Sequence, residues 1–223
     1  MTDLQTTSLA TFPRRNLEAS VLRRLDPADT QATPPAIDRP RIEAAVREIL
    51  LALGEDPERE GLVDTPRRVA KAYAELFGGL QQRPEEVLAR TFEQPSSDLV
   101  TLRDIEFFSF CEHHLLPFFG KASIAYLPAD GRVVGLSKLA RLVEVFARRP
   151  QMQERITQQV ADALMQHLEP AGVTVMVHSE HLCMKARGVA KHEPVMTTVA
   201  HRGAFADDPA LRREVLDVLN RRG

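Results

Sequence analysis

The chain has 223 residues, of which 43% are hydrophobic and 27% charged, a composition typical of soluble globular proteins. Its 29 basic and 31 acidic residues nearly cancel, which argues against nucleic acid or an anionic membrane as a partner. The longest apolar runs fall far short of the ~20 residues of a membrane span, and the N-terminus lacks the apolar stretch of a secretory signal. With only two cysteines, the sequence predicts a cytoplasmic, reduced protein.

The first part of the chain predicts an arm followed by helices. Residues 1–40 contain five prolines and many small polar residues without periodicity, so we expect a flexible N-terminal arm. Residues 41–97 predict a helical region, because apolar residues recur at helical spacing in "RIEAAVREILLALG" and "DTPRRVAKAYAELFGG". Glycines end both patterns, and Pro84 opens a further short helix.

Residues 98–223 predict a domain that mixes strands and helices. Alternating, β-branched and aromatic residues predict strands over 98–110, 120–128, 172–185 and 195–205. Helical periodicity predicts helices over 137–150, 151–168 and 208–222, with Ser137 able to cap the first. Helices followed by strand pairs and further helices, without a glycine-rich phosphate loop, indicate the α+β class.

The stretch "SFCEHHLLPFFG" at residues 109–120 contains a possible metal motif. Cys111 and His114 can reach one coordination sphere across a tight turn, and thiolate and imidazole are the usual zinc ligands. Cys183, expected on the strand over 172–185, would be a third ligand and leave one position open for water, as in catalytic zinc sites. A buried free thiol beside a polar turn is the alternative, since cysteine packs like a small hydrophobic residue.

A histidine that is not needed as a ligand accompanies each half of this motif. His113 precedes His114, and His181 stands two residues before Cys183. On a strand, the side chains of His181 and Cys183 would therefore face the same way. A free imidazole beside a metal can move protons near neutral pH. Taken singly, either histidine is equally consistent with an ordinary surface or hydrogen-bonded residue.

Several residues are candidates for binding an anionic or guanine-containing ligand. The basic candidates lie at expected helix starts or near the motif and are Arg68, Lys71, Lys138, Arg141, Lys185 and Arg187. Ser137 and Lys138 open a helix, where free backbone N–H groups favour phosphate. Gln153 and Glu154 begin the next helix, and a carboxylate there could accept both N–H donors of a guanine edge. Solvated surface charges, and for Glu154 a favourable interaction with the helix dipole, are the alternatives.

From about residue 41 onward the sequence resembles the GTP cyclohydrolase I family. The resemblance rests on "TPRRVAKAY", "CEHHLLPFFGKASIAYLP", "VVGLSKLARLVEVFARRPQMQERIT" and "HLCMKARGV", which occur in that order. It implies the tunnelling fold, with an antiparallel sheet and a helix pair preceded by an N-terminal helical region. It further implies assembly as a homodecamer of two pentamers, with active sites at subunit interfaces.

The resemblance also implies a role for each candidate residue. Cys111, His114 and Cys183 would bind Zn²⁺, while His113, His181 and Ser137 would be catalytic. Glu154, supported by Gln153, would hold guanine. The basic residues expected near the ribose and triphosphate of GTP are Lys138, Arg141 and Arg187 from one subunit and Arg68 and Lys71 from a neighbour.

The implied reaction is the hydrolysis of GTP at guanine C8 with release of formate. An Amadori rearrangement and ring closure would then give 7,8-dihydroneopterin triphosphate, at the first step of tetrahydrofolate and pterin biosynthesis. The sequence departs from the family pattern at Pro194, where a serine is usual, and at Met196, which replaces a threonine. This departure is consistent with neutral drift or with a paralogue that stops at the formamidopyrimidine or serves a secondary pathway. A non-catalytic zinc-stabilised scaffold is a further hypothesis.

Overall fold

The computed structural model of the protein describes residues 36–94 and 98–221. The expected flexible arm over residues 1–40 therefore lies almost wholly outside the described residues. Within the described part, the first helix begins at Arg39, and the Asp38 carboxylate caps it by accepting a hydrogen bond from the Arg41 N–H at 3.1 Å.

The N-terminal region forms the helices that the periodicity predicted. They are α1 (Arg39–Ala52), α2 (Thr65–Leu76) and α3 (Pro84–Leu88), with a 3₁₀ turn over Gly78–Gln81 before α3. Gly54 follows α1 with φ +82°, the left-handed conformation that suits glycine after a helix. None of the residues of α1 is buried, because α1 packs mainly against α2 and leaves the rest of its apolar face exposed.

Two sheets follow, and the larger one organises the domain. The strands are β1 (Thr91–Glu93), β2 (Val100–Cys111), β3 (Pro117–Leu127), β4 (Arg132–Val134), β5 (Pro150–Gln151), β6 (Gly172–His181) and β7 (Met196–Gly203). Strands β1 and β4 form an antiparallel pair, and the five-stranded sheet has the order β5-β2-β3-β6-β7. Its strands are antiparallel except for β5, which pairs in parallel with the end of β2.

The core lies between one face of this sheet and the helices α4 (Leu136–Ala147) and α5 (Gln153–His167). Alternate residues of β3, including Phe118, Ile124 and Tyr126, are fully buried on that face, as the period of a strand requires. Each such large side chain contributes about 1.5–3 kcal/mol of hydrophobic stabilisation. The short helices α6 (Leu182–Lys185) and α7 (Ala204–Asp207) and the last helix, α8 (Pro209–Asn220), complete the fold.

The structure corrects two local expectations and places Pro194 outside the strand ladder. Ser137 is the second residue of α4, and Gly135 occupies the N-cap position, so Ser137 does not cap the helix. Cys183 lies in the one-turn helix α6 rather than on a strand, because β6 ends at His181. Pro194 precedes β7, whose pairing with β6 begins at Met196, so the proline removes no hydrogen bond from the strand ladder.

Candidate metal centre and active site

A tight turn between β2 and β3 brings Cys111 and His114 together. Leu115 has φ +52°, and its N–H donates to the Cys111 carbonyl at 2.8 Å, while the Cys111 N–H donates to Leu116 O at 2.9 Å. These bonds reverse the chain immediately after Cys111. The turn therefore holds both potential ligands at one end of the sheet.

Cys183 completes a group of three ligands at this end. The ligand atoms of Cys111, His114 and Cys183 all lie within 4.8 Å of one another, and Cys111 Sγ is 3.9 Å from His114 Nδ1. Zinc bonds of 2.0–2.3 Å in tetrahedral geometry place neighbouring ligand atoms roughly 3.5 Å apart, so this donor set fits zinc. Cys183 reaches the group because α6 turns the chain back at the end of β6.

The surroundings of Cys183 favour the protonated thiol over the thiolate. Burial raises the pKa of this thiol, and the neighbouring Cys111 raises it further. Both cysteines are free thiols in the structure. A bound cation would reverse this tendency, since thiolates are the form that coordinates zinc.

His113 and Arg187 lie at the edge of the ligand group. His113 is exposed, with its Nδ1 3.5 Å from Cys111 Sγ, and it is not one of the three converging ligands. Arg187 places a guanidinium nitrogen 2.8 Å from Nε2 of His114. An imidazole and a fixed positive charge therefore accompany the candidate metal ligands.

His181 is held in a network beside the same group. Its ring stacks on Phe118 with the centroids 4.6 Å apart, and its Nε2 lies 3.0 Å from Gln153 Oε1 and 3.1 Å from Ser179 Oγ. Burial lowers the pKa of His181, while the negative charge of Glu154 acts in the opposite direction. The imidazole is therefore oriented by contacts that do not involve the metal ligands.

Sequence reasoning missed an ion pair that links the metal turn to α5. Arg155 donates two hydrogen bonds to Glu112, at 2.5 and 3.1 Å, and the Glu112 N–H donates to Gln151 O at 3.0 Å. The bonds from Arg155 lower the pKa of the Glu112 carboxyl. Glu112 follows Cys111 and Arg155 follows Glu154 in the sequence. Only the fold shows that these two residues, 43 positions apart in the chain, are in contact.

A close strand approach also supports the site. Gly120 pairs with Ser179 between β3 and β6, and a Cβ at Gly120 would lie only 1.9 Å from the His178 carbonyl oxygen. Glycine is therefore required where these strands carry Ser179 and His181 to the end of the sheet.

The basic candidates on helices do not join the metal group within one chain. Lys138 and Arg141 line a separate groove of about 480 Å³ with Arg83 and Arg148, and none of the metal ligands lines that groove. Ser137 is exposed at the start of α4. Arg68 and Lys71 are exposed on α2, where Arg68 pairs with Asp64 at 3.2 Å.

Glu154 is close enough to act on His181 electrostatically, and it is exposed in the first turn of α5. Gln153 is fully buried, and its amide is engaged inside the protein. The described part of the chain thus groups the candidate metal ligands with His113 and Arg187 and places Glu154 near His181. It separates these residues from the other basic candidates.

A family model described as GTP cyclohydrolase I matches residues 42–220 of this chain. The chain belongs to the GTP cyclohydrolase I family. Relatives named GTP cyclohydrolase 1 include one from Thermobifida fusca, 58% identical over 88% of this chain and 95% of its own length. Another, from Halalkalibacterium halodurans, is 57% identical over 82% of this chain and 97% of its own.

Membership of the GTP cyclohydrolase I family, together with the antiparallel sheet and its helix pair, confirms the predicted α+β tunnelling fold. Among solved structures, an archaeosine synthase QueF-like protein in the apo form is 20% identical over 49% of this chain and 97% of its own, with a TM-score of 0.40. Among the described residues, no helix is long and apolar enough to cross a membrane.

Proposed function

We propose that this chain is a zinc-dependent GTP cyclohydrolase I. It opens the guanine ring of GTP at C8, releases formate and forms 7,8-dihydroneopterin triphosphate at the start of tetrahydrofolate and pterin biosynthesis. The observation that carries this proposal is the convergence of Cys111, His114 and Cys183 with His113 and His181 placed beside them. Three ligands with an open position are typical of catalytic rather than structural zinc.

Cys111, His114 and Cys183 would hold the Zn²⁺. When bound there, zinc would supply a Lewis acid that lowers the pKa of a water molecule to near neutrality, which makes a nucleophile for C8 available at neutral pH. The two thiolates provide soft ligands, and His114 is oriented by the turn that Leu115 closes. Free thiols suited to metal binding support a reducing compartment, so we assign the protein to the cytoplasm.

His113 and His181 would move protons during ring opening. Each stands beside a metal ligand without being one, so each imidazole can give a proton to a ring nitrogen or take one from water. Ser137 would assist proton transfer on the sugar during the rearrangement. Its exposed hydroxyl at the start of α4 leaves it accessible to a substrate.

Glu154 would hold the guanine base. Its exposed carboxylate can accept two hydrogen bonds from adjacent N–H donors on one edge of the base, which adenine does not present. Gln153 would support this contact by position, because its side chain is buried and anchors the first turn of α5 to β6. Guanine and His181 would then meet at the same end of the sheet.

The triphosphate would be bound by Arg187, Lys138 and Arg141, with Arg68 and Lys71 supplied by a neighbouring subunit. The separation of these residues within one chain supports a site shared between subunits of a homo-oligomer, which we propose to be two pentamers. On this proposal, residues 98–223 form the catalytic domain, residues 41–97 the helical region and residues 1–40 the arm.

Incubation of the purified zinc-loaded protein with GTP tests the function. We expect formate together with a product that fluoresces as a pterin after oxidation. Formate without a pterin would identify a paralogue that stops at the formamidopyrimidine. Stoichiometric zinc without any turnover would instead indicate a scaffold.

A further inference from the structure

We infer that Gln153 is a positioning residue that keeps a proton on Nε2 of His181, so that Nδ1 is the nitrogen left to exchange a proton in the reaction. The part about the reaction rests on the proposed function. The part about the tautomer rests only on the hydrogen bonds of three buried or half-buried side chains: Gln153, Ser179 and His181.

The first step is the orientation of the Gln153 amide. The side chain is fully buried, and its Nε2 lies 3.0 Å from Val177 O and 3.1 Å from Met196 O. Backbone carbonyls can only accept hydrogen bonds, so the amide must present its NH₂ group to them. A flipped amide would place its oxygen against two carbonyl oxygens in a buried site. The Oε1 atom therefore faces β6.

The second step assigns the proton on His181. Gln153 Oε1 accepts a hydrogen bond from Ser179 Oγ at 2.5 Å and lies 3.0 Å from Nε2 of His181. An amide oxygen cannot donate, so the contact is a hydrogen bond only if Nε2 carries the proton. Ser179 uses its own proton toward Gln153, so its oxygen, 3.1 Å from Nε2, can accept from the same Nε2–H. All three contacts agree on one tautomer.

The third step concerns the other ring nitrogen. Among the described residues, Nδ1 of His181 has no hydrogen-bond partner, and the ring is held flat against Phe118 with an interplanar angle of 8°. A neutral imidazole with its proton on Nε2 has its lone pair on Nδ1. The stack and the Gln153 contact together fix where that lone pair points, which is how a second residue can prepare a proton-transfer group.

The tautomer can be measured directly by ¹⁵N solid-state NMR. The full-length, zinc-loaded protein would carry ¹⁵N-labelled histidine at pH 8, with the His181 signals identified by their loss in His181→Asn. We expect a protonated Nε2 and an unprotonated Nδ1 in the wild type. In Gln153→Met, which fills the space without an acceptor, we expect a mixture of tautomers and a kcat lower by about 10- to 100-fold, part of the ~10²–10⁴ of acid–base catalysis.

Two further variants separate positioning from stability. Gln153→Glu, as a neutral acid in this buried site, can donate to a carbonyl oxygen of Val177 or Met196 and still accept from Nε2–H and Ser179. It should therefore retain the wild-type tautomer and recover kcat at least about fivefold relative to Gln153→Met. Thr157→Val disrupts the same network, because Thr157 Oγ1 lies 2.6 Å from Thr198 Oγ1, but Thr157 does not contact His181. It should destabilise the protein without changing the tautomer.

A proton on Nδ1 in the wild type would overturn the inference, even in a protein that converts GTP normally. An unchanged tautomer in Gln153→Met would also overturn it. A protonated Nε2 in a protein without turnover would leave the tautomer assignment in place and contradict the proposed function instead. The NMR result therefore tests the tautomer and the turnover of GTP tests the proposed function, and either can be contradicted without the other.

Discussion

The metal-binding end of the sheet and the basic groove beside α4 differ in how much of a site one chain builds. At the sheet end, three candidate ligands lie within 4.8 Å of one another, His113 and Arg187 contact two of them, and His181 stands two residues before Cys183. In the groove, Lys138, Arg141, Arg83 and Arg148 share the lining with Glu86 and Glu144, and Arg148 pairs with Glu144. On the proposed function, a single chain thus supplies the whole candidate metal centre but only a part of a phosphate site.

The difference reflects the distances over which each interaction acts. Metal coordination requires atoms about 2.0–2.3 Å from one ion, so its ligands must come from segments that the fold brings into contact. A nucleoside triphosphate is much longer, and its charges can be met by groups on different surfaces, including those of another subunit. The exposed positions of Arg68 and Lys71 on α2 agree with such a division.

The largest expected effect on turnover comes from removing a candidate metal ligand. We expect Cys183→Ala to lose zinc and to reduce turnover by about 10⁴-fold or more, because the attacking water then keeps a pKa near that of bulk water. Metal content by atomic emission and formate release would be measured together. Retention of zinc with full turnover would show that the sheet end is not the metal centre, and Lys121→Met on the same sheet would be the matched control.

The next effect separates the ligands from the proton-transfer groups. His181→Ala should keep stoichiometric zinc but lose roughly 10²- to 10⁴-fold in kcat, since general acid–base catalysis is worth about that much. Metal analysis and kcat would be measured on the same samples. Equal loss of zinc in His181→Ala and Cys183→Ala would contradict the roles given to these two residues.

A smaller effect is expected in the groove. Lys138→Met should raise KM for GTP by about 10- to 100-fold with little change in kcat, because a hydrogen bond to a charged group is worth about 1.5–3 kcal/mol. Steady-state kinetics would show the change in KM at constant zinc content. An effect on kcat alone would place Lys138 at the reacting atoms rather than on the triphosphate. The same change at Lys121, outside the groove, should leave KM unaltered.

The smallest expected effect is the recovery of activity when two inactive variants of the chain are co-expressed. If Arg68 acts in a neighbour's site, co-expressed Cys183→Ala and Arg68→Ala chains would combine both intact residues in roughly a quarter of the sites of a symmetric oligomer. Recovered activity of that order, measured on doubly tagged complexes, would support a shared site. Mixtures no more active than their separate components would indicate that Arg68 serves its own chain or none.

Local patterns predicted the helices and strands well, but they failed where the chain changes direction. The strand expected over 172–185 ends at His181, and Cys183 follows on α6, since no periodicity distinguishes a strand end from a single helical turn. The prediction that His181 and Cys183 share a strand face was therefore wrong, although Cys183 does join the group of candidate ligands. Ser137 was misplaced as a cap for a similar reason, because Gly135 in an extended conformation precedes the helix.

The amino-acid sequence by itself determined the fold class, the family and the two segments that carry the metal ligands. The fold class follows from periodicity and the two segments from residue types at short spacing, which are properties of local chain segments. The family follows from the resemblance that the motifs carry. The Glu112–Arg155 pair, the internal use of Gln153 and the separation of the groove from the metal ligands became visible only in the folded chain. They depend on side chains far apart in sequence that meet because β2, β6 and α5 pack together, and no local pattern encodes such contacts.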